Sequence, residues 1–282
     1  MSPLPIRLSV YFQVFNQPRA TYEALKAFRP AYMNVPISLV SDGGGDFSKI
    51  AEHFGCSYTF DKEPVFVGAR PNMGLPTDEH RTRWFNRLLD ACKPDTDWLL
   101  LLEDDVLTRG PIKHFPPAPM AGPCFCCFTD ALKLSLLERH KDLAIFGYSG
   151  CGGTILSIPA LRKAIDNRPD FDAAGKLDSR VALHSDAMLT YLFLYNGFEN
   201  KPWLDFSETC CGIGLPDAAF EHQYKRWYGA RWEDRMIGAE EKYGIPSLPN
   251  SPQERDIRLI GLEVYMRLLE ARIVGLEKAN AH

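Results

Sequence analysis

The stretch "WLLLLEDDVL", from Trp98 to Leu107, constrains the fold of this chain more than any other. Four consecutive leucines predict a strand buried on both faces, because a strand with one solvated face alternates apolar and polar residues. Glu103, Asp104 and Asp105 follow directly. Adjacent carboxylates repel one another and lose hydration on burial unless a cation joins them. The stretch therefore predicts a central strand that ends in a cation site, with a solvated acidic turn as the alternative.

Strand and helix signals alternate along the first half of the chain. Strands are expected at 6–15, 35–42, 56–60 and 98–102, and helices at 20–28, 46–55 and 77–92. Asp46 is expected to cap the second helix, and Thr77 to open the third. This order with short connections predicts an α/β domain with a mainly parallel sheet flanked by helices. Ligands of such sheets bind outside the carboxyl ends of the strands, where the acidic triplet lies.

Composition excludes several classes of protein. The net charge of −4 gives no basic surface for nucleic acid, and no apolar segment approaches the ~20 residues of a membrane span. The first residues, "MSPLPIRLSVYFQVF", do not read as a signal peptide, so we expect a cytoplasmic protein. Its eight cysteines are then expected to be reduced thiols, and the paired spacing of a zinc site does not recur with Cys124, Cys126 and Cys127.

Two further stretches contain candidate binding or catalytic residues. "AIFGYSGCGGTILS" contains Gly152 and Gly153, which allow close approach of backbone to a ligand, with a bend in a strand as the alternative. No Gly-Lys-Ser/Thr follows, which excludes a P-loop. His184, Ser185 and Asp186 open an apolar helix, and the helix dipole by itself explains a carboxylate in the first turn.

Further helices are expected at 130–142, with Asp130 as cap, at 158–166, and from residue 252 onward.

These stretches together resemble GT-A glycosyltransferases, which transfer a sugar from a nucleotide-diphosphate donor. "WLLLLEDDV" is similar to the strand and DxD motif of that family. "SDAMLTYLFLYNGF" is similar to the family's helix that begins with a catalytic acidic residue. The chain departs from the motif because the triplet is Glu-Asp-Asp. Glu103 takes the first position, Asp104 the middle and Asp105 the third. The resemblance covers about residues 6–214.

The resemblance implies a set of site residues. Glu103, Asp105 and a late histidine, His222, are the implied ligands of Mn²⁺ or Mg²⁺, ions that bridge phosphate oxygens. Asp186 is the implied base that deprotonates the acceptor, which predicts inversion at the anomeric carbon. The residues implied to contact the nucleotide sugar are Phe12, Asn16, Asp42, Arg81, Asn86, Asp104, Gly152 and Gly153. Asp42 could instead stabilise a turn, and Arg81 could lie on a solvated helix face.

The predicted architecture is a single GT-A domain. It has a nucleotide-binding half at about 1–107, an acceptor-binding half at about 108–250 and a C-terminal helix at about 251–282, which packs on the domain or forms a homodimer. Trp203, Asp205 or Glu208 is expected to contact the acceptor, with packing in the core as the alternative for Trp203.

The predicted activity is metal-dependent transfer from a UDP-sugar to a glycan hydroxyl. A nucleotidyltransferase is a weaker alternative, because "FQVFNQPRAT" lacks the glycine- and lysine-rich loop expected after its first strand. A non-catalytic nucleotide- or glycan-binding protein of the same fold is the alternative from another class.

Overall fold

The computed structural model describes residues 6–15, 17–65, 76–126, 128–145, 148–150, 152–208 and 217–222. The strands in these ranges are β1 (Leu8–Val14), β2 (Ile37–Asp42), β3 (Ser57–Asp61), β4 (Trp98–Glu103), β5 (Val106–Thr108), β6 (Met120–Gly122), β7 (Cys124–Cys126), β8 (Tyr148–Ser149), β9 (Ile155–Ser157), β10 (Asn200–Pro202), β11 (Phe206–Glu208) and β12 (Phe220–His222). The helices are α1 (Pro18–Phe28), α2 (Ser48–Phe54), α3 (Asp78–Ala91), α4 (Asp130–Arg139), α5 (Ile158–Asp166), α6 (Phe171–Leu177), α7 (Ser179–Leu183) and α8 (Ser185–Tyr195).

A central sheet organises the described part of the chain. Its strand order is β10, β6, β9, β4, β1, β2, β3. β1 pairs in parallel with β2 and β4, β2 with β3, and β6 with β10, whereas β9 is antiparallel to β4 and β6. The predicted fold class, an α/β fold with a mainly parallel sheet flanked by helices, is confirmed.

The leucine run lies in the middle of this sheet. Leu99 and Leu101 pack into the core on one face of β4, and Leu100 and Leu102 pack into the core on the other. All four are at most 2% exposed. Burial on both faces explains the absence of alternation in the sequence, as predicted.

A second sheet extends from the end of β4. It consists of β11, β12 and β5 in that order. β5 follows β4 after a two-residue turn, and β12 pairs antiparallel with β5, so that His222 lies opposite Val106. This pairing brings a distant segment of the chain to the carboxyl end of β4.

Helix starts depend on local polar side chains. Thr77 caps α3 as predicted. The cap of α4 is Thr129 and not Asp130, because the Thr129 hydroxyl is the group that accepts a backbone N–H of the first turn. α2 begins at Ser48, whose backbone N–H donates to the Asp46 carboxylate, so Asp46 stabilises the turn before the helix and is not its cap.

Among the described helices, none combines the length and apolar character needed to cross a membrane. The C-terminal helix predicted from residue 252 onward lies outside the described residues.

Candidate active site at the carboxyl end of the sheet

Three predicted metal ligands meet at the carboxyl end of β4. Glu103 ends the strand, Asp105 is the second residue of the following turn, and His222 ends β12. One ligand atom from each residue lies within 4.8 Å of the other two. The Nε2 atom of His222 is 3.3 Å from Oδ1 of Asp105. The structure thus brings together two acids from the triplet and a histidine from the far end of the described chain.

The cluster concentrates negative charge in a buried environment. Asp105 and His222 are both buried. Burial, followed by the charges of Asp105 and Asp186, raises the pKa of the Glu103 carboxyl to about 8, with a smaller contribution from Asp104 and an opposing one from His222. Ionised carboxylates so enclosed are unfavourable unless a cation offsets their repulsion. The electrostatics therefore favour a bound cation.

The donor set fits one divalent ion. Ligands held at ~2.1 Å from an ion are up to ~4.2 Å apart, so small side-chain rotations bring the three atoms into one coordination sphere. Two carboxylate oxygens suit Mg²⁺ or Mn²⁺, and an imidazole nitrogen favours the transition metal of the two. Glu103, Asp105 and His222 could hold Mn²⁺ and leave positions for phosphate oxygens.

Two glycines close the site from the side of β9. A Cβ on Gly152 would lie 2.9 Å from Nε2 of His222 and 3.2 Å from Oε2 of Glu103. Gly153 has a φ of +97°, and a Cβ there would overlap the ring of Phe206. A side chain at Gly152 would therefore crowd the cluster and one at Gly153 the ring of Phe206, while their predicted contact with the nucleotide sugar stays a prediction.

We expect Gly152→Ala to weaken Mn²⁺ binding by about tenfold, because the added methyl pushes His222 and Glu103 out of the shared coordination sphere. Isothermal titration of the purified variants with Mn²⁺ measures the effect. Gly110→Ala is the matched control, since a Cβ at Gly110 meets nothing within 4 Å. Equal Mn²⁺ affinity in the two variants would contradict the assigned metal position.

Asp186 lies near this cluster. It occupies the first turn of α8 and accepts a hydrogen bond from Oγ of Ser185 at 3.3 Å. Its charge is one of those that raise the pKa of Glu103, so the two carboxyl groups are within electrostatic range. Asp186 is therefore close enough to Glu103 for the two charges to interact, and its role as a base stays a prediction.

Asp42 ends β2 at the same edge of the sheet and is buried. Its Oδ1 atom accepts from Nη1 of Arg87 at 2.7 Å and from the backbone N–H of Val65 at 3.0 Å. Arg87 also pairs with Asp61 at the end of β3. Because both donors reach Oδ1, Oδ2 is the oxygen that a ligand could use.

Of the two α3 residues implied to contact the nucleotide sugar, Arg81 does not take the predicted position. Arg81 is 1% exposed, and its two Nη atoms pair with Asp78 at 2.9 Å and Asp172 at 2.6 Å. It therefore ties α3 to α6, and the predicted diphosphate contact is wrong for this side chain. Asn86 is exposed on α3, and its predicted contact with the nucleotide sugar stays a prediction.

Phe12 is fully buried in the core with the residues of α1, so its side chain packs and does not contact a nucleotide. Asn16 lies outside the described residues. The predicted acceptor contacts Trp203 and Asp205 are also buried. The Trp203 indole donates to the backbone oxygen of His114 at 3.1 Å, and Oδ2 of Asp205 accepts the backbone N–H groups of residues 113 and 114, so both hold this loop in place.

Arg87 at this edge escaped prediction, and Gln13 lies between the predicted residues Phe12 and Asn16. Arg87 follows the buried Trp84 by one helical turn, and that spacing could have placed it on the inner face of α3. Gln13 follows the buried Tyr11 by two residues, and strand alternation could have placed it on the same face of the sheet.

No protein-family model matches this chain, and no curated protein matches its sequence. Solved structures of similar fold include the galactosyltransferase LgtC in complex with donor and acceptor sugar analogues, with a TM-score of 0.46, 12% identity, and coverage of 88% of this chain and 99% of that one. An active-site mutant of LgtC has a TM-score of 0.45 and 12% identity, covering 84% and 98% of the two chains. The apo form of mouse xyloside xylosyltransferase 1 has a TM-score of 0.46 and 11% identity, covering 76% and 97%.

Proposed function

We propose that this protein is a metal-dependent glycosyltransferase that moves a sugar from a UDP-sugar to a glycan hydroxyl with inversion. The observation that carries the proposal is the convergence of Glu103, Asp105 and His222 within 4.8 Å at the carboxyl end of β4. Two acids and an imidazole at this edge suit a divalent ion that also meets a diphosphate. When bound, Mn²⁺ would offset the charge that develops on the leaving diphosphate.

Asp42 supports the assignment of a uridine nucleotide. Arg87 and the backbone of Val65 both hold Oδ1, which orients the carboxylate and leaves Oδ2 as acceptor. Uracil presents one ring N–H between two carbonyls, and Oδ2 can accept from it. A charge-assisted hydrogen bond of this kind contributes about 1.5–3 kcal/mol.

Asp186 is assigned to proton transfer. A sugar hydroxyl is a weak nucleophile, and a positioned carboxylate must take its proton during attack. The hydroxyl oxygen bonds to the anomeric carbon as the bond from that carbon to the diphosphate oxygen breaks. The hydroxyl proton goes to Asp186, and the nucleoside diphosphate leaves. Direct displacement of this kind inverts the configuration.

Titration with UDP, GDP and ADP, each with and without Mn²⁺, tests the proposal. We expect UDP to bind more tightly than either purine nucleotide, and Mn²⁺ to strengthen UDP binding by about tenfold or more, since the ion joins the ligands to the diphosphate. Slow release of UDP from a panel of UDP-sugars then reports catalysis. Binding without release of UDP from any donor would indicate a non-catalytic protein. Equal affinity for all three nucleotides would contradict the uridine assignment.

A further inference from the structure

The two edges of the central sheet differ in their exposure. β10 forms one edge, and its residues Asn200 and Pro202 are buried. β3 forms the other edge, and no strand in the described part of the chain pairs with its outer side. Ser57, Thr59 and Phe60 are exposed along β3. The strand contains neither a proline nor a lysine, two residues by which natural sheets protect an open edge, so β3 is available for pairing.

One hydrogen bond shows which backbone groups of β3 point outward. The carbonyl oxygen of Asp61 accepts the backbone N–H of Gly43, which directly follows β2, at 2.6 Å. The backbone polar groups of Asp61 therefore face β2, and those of Thr59, two residues earlier, face it as well. The N–H and C=O groups of Tyr58 and Phe60 point away from the sheet. The edge thus offers two donors and two acceptors within three residues.

We propose that β3 pairs with β3 of a second copy of this chain, in an antiparallel register centred on Thr59. In that register Tyr58 lies opposite Phe60 of the second copy, and Phe60 lies opposite its Tyr58. Residues that are directly opposite in such pairs exchange both backbone hydrogen bonds, so every outward group of the two strands is satisfied. The same surface is used on both copies, so the contact closes as a dimer with two-fold symmetry.

The side chains of β3 favour a second copy as the partner. Tyr58 packs on the face of the sheet that carries α1 and α2, and strand alternation places Phe60 on the same face. The Tyr58 hydroxyl accepts the backbone N–H of Phe47 at 2.8 Å, which holds the Tyr58 ring in place, whereas Phe60 is 41% exposed. In the dimer each Phe60 ring lies across from a held Tyr58 ring, and aromatic cross-strand pairs stabilise antiparallel strands. Thr59 faces its own copy and Asp61 faces Ser57, so no charge on β3 meets a like charge.

The neighbouring registers that keep the same faces together satisfy fewer groups. With Tyr58 opposite its own copy, Phe60 would meet Cys56, whose N–H already donates to the carbonyl oxygen of Ala51 at 2.8 Å. With Phe60 opposite its own copy, Tyr58 would meet Lys62, which lies beyond the end of β3. Of the three registers, the one centred on Thr59 pairs every outward group within the two strands.

Antiparallel pairing directs the carboxyl edges of the two sheets to opposite ends of the dimer. The two candidate active sites then lie at opposite ends as well, and the dimer does not depend on the proposed function. Four backbone hydrogen bonds over a small area predict a weak dimer, with a dissociation constant of about 10–100 µM.

Phe60→Pro tests the backbone contact in the full chain. The Phe60 N–H points outward, so a proline there removes no bond to β2 but deletes two of the four hydrogen bonds of the dimer. Sedimentation velocity over concentrations that span the expected dissociation constant should show a dimer for the wild type and association at least about tenfold weaker for the variant. Phe115→Ala, which removes an exposed ring that lies against Trp98 of β4, is the control and should dimerise like the wild type. Thermal unfolding checks that each variant keeps its fold.

A cross-link tests the register. Opposite residues that share no hydrogen bonds in an antiparallel pair have Cα atoms ~4.5 Å apart, which is within the range of a disulfide. Thr59→Cys should therefore form a disulfide between two copies under mild oxidation, with the linked peptides identified by mass spectrometry. Ser57→Cys is the matched control, because Ser57 is exposed on the same face of β3 but lies opposite Asp61 of the second copy.

Three outcomes would overturn the inference. A wild type that stays monomeric would leave this edge to a strand of another protein or to none. Unchanged dimerisation of Phe60→Pro would place the interface elsewhere on the molecule. Cross-linking at position 57 equal to that at position 59 would exclude the register. UDP binding and UDP release are measured separately, so their failure would overturn the proposed function and leave this inference standing.

Discussion

Asp105→Asn is expected to abolish Mn²⁺-dependent UDP binding and to lower sugar transfer by about 10²–10³-fold or more. Asp105 is buried and lies 3.3 Å from His222, so it contributes one of the three ligand atoms of the cluster. The substitution also removes a charge that raises the pKa of Glu103, so the metal-free variant should be no less stable than the metal-free wild type.

Thermal unfolding with and without Mn²⁺ separates the two effects. Mn²⁺ at 100 times its dissociation constant adds about 2.7 kcal/mol to the free energy of unfolding of the wild type, which raises Tm by roughly 5–10 °C. The variant should show no such shift. Asp90→Asn is the matched control, since Asp90 is exposed near the end of α3, away from the cluster. A Mn²⁺ shift in Asp105→Asn equal to that of the control would remove Asp105 from the metal site.

The centre of the fold was predictable because it depends on local sequence. A run of leucines without alternation has one stable place in an α/β domain, the middle of the sheet, and both faces of β4 are buried there. Once β4 is central and parallel to β1, the acids that follow it must lie at the carboxyl edge. Glu103 and Asp105 could therefore be placed from the sequence.

The position of His222 could not be derived in this way. Its approach depends on β12, a three-residue strand that pairs with β5 far back along the chain. Such a short strand has no periodicity to read, and its register is decided by tertiary contacts. Only the family resemblance pointed to a late histidine, and the structure places this one beside Asp105.

The sequence also could not decide whether Phe12 or Gln13 faces the ligand edge of the sheet. Adjacent strand residues point to opposite faces, so one of the two must be core and the other must face α3. The sequence identifies the strand but does not show which face carries the ligand edge. The structure buries Phe12 completely and leaves Gln13 half-buried beside Glu103.

The partners of the α3 arginines could not be predicted for a related reason. Helical spacing places Arg81 and Arg87 toward the interior, but their partners come from other elements. Asp172 belongs to α6 and Asp61 to β3. Which carboxylate each guanidinium meets is therefore decided by how these elements pack, and a position near the phosphates does not follow from the helix alone.

Asp186→Asn is expected to lower the transfer rate at saturating donor by roughly 10²–10⁴-fold while leaving UDP affinity near that of the wild type. A general base acts only in the transition state, so its loss leaves ground-state binding of the nucleotide intact. Asparagine keeps the size of the side chain and its place in the first turn of α8, so the fold should change little. Rates of transfer and UDP titrations, compared with Asp90→Asn, measure both quantities.

The anomeric configuration of the product, read by NMR, decides between two roles for Asp186. Inversion requires the base to lie across the anomeric carbon from the departing diphosphate. Asp186 is within electrostatic range of Glu103, and the proposed inversion would require the donor sugar to lie between this carboxylate and the metal ligands. If the product keeps the configuration of the donor, the leaving phosphate can itself take the acceptor proton, and Asp186 then serves to hold a hydroxyl of the donor sugar. In that case Asp186→Asn should raise the KM for the donor sugar as well as lower kcat. Retained configuration, or turnover equal to that of Asp90→Asn, would exclude Asp186 as the base.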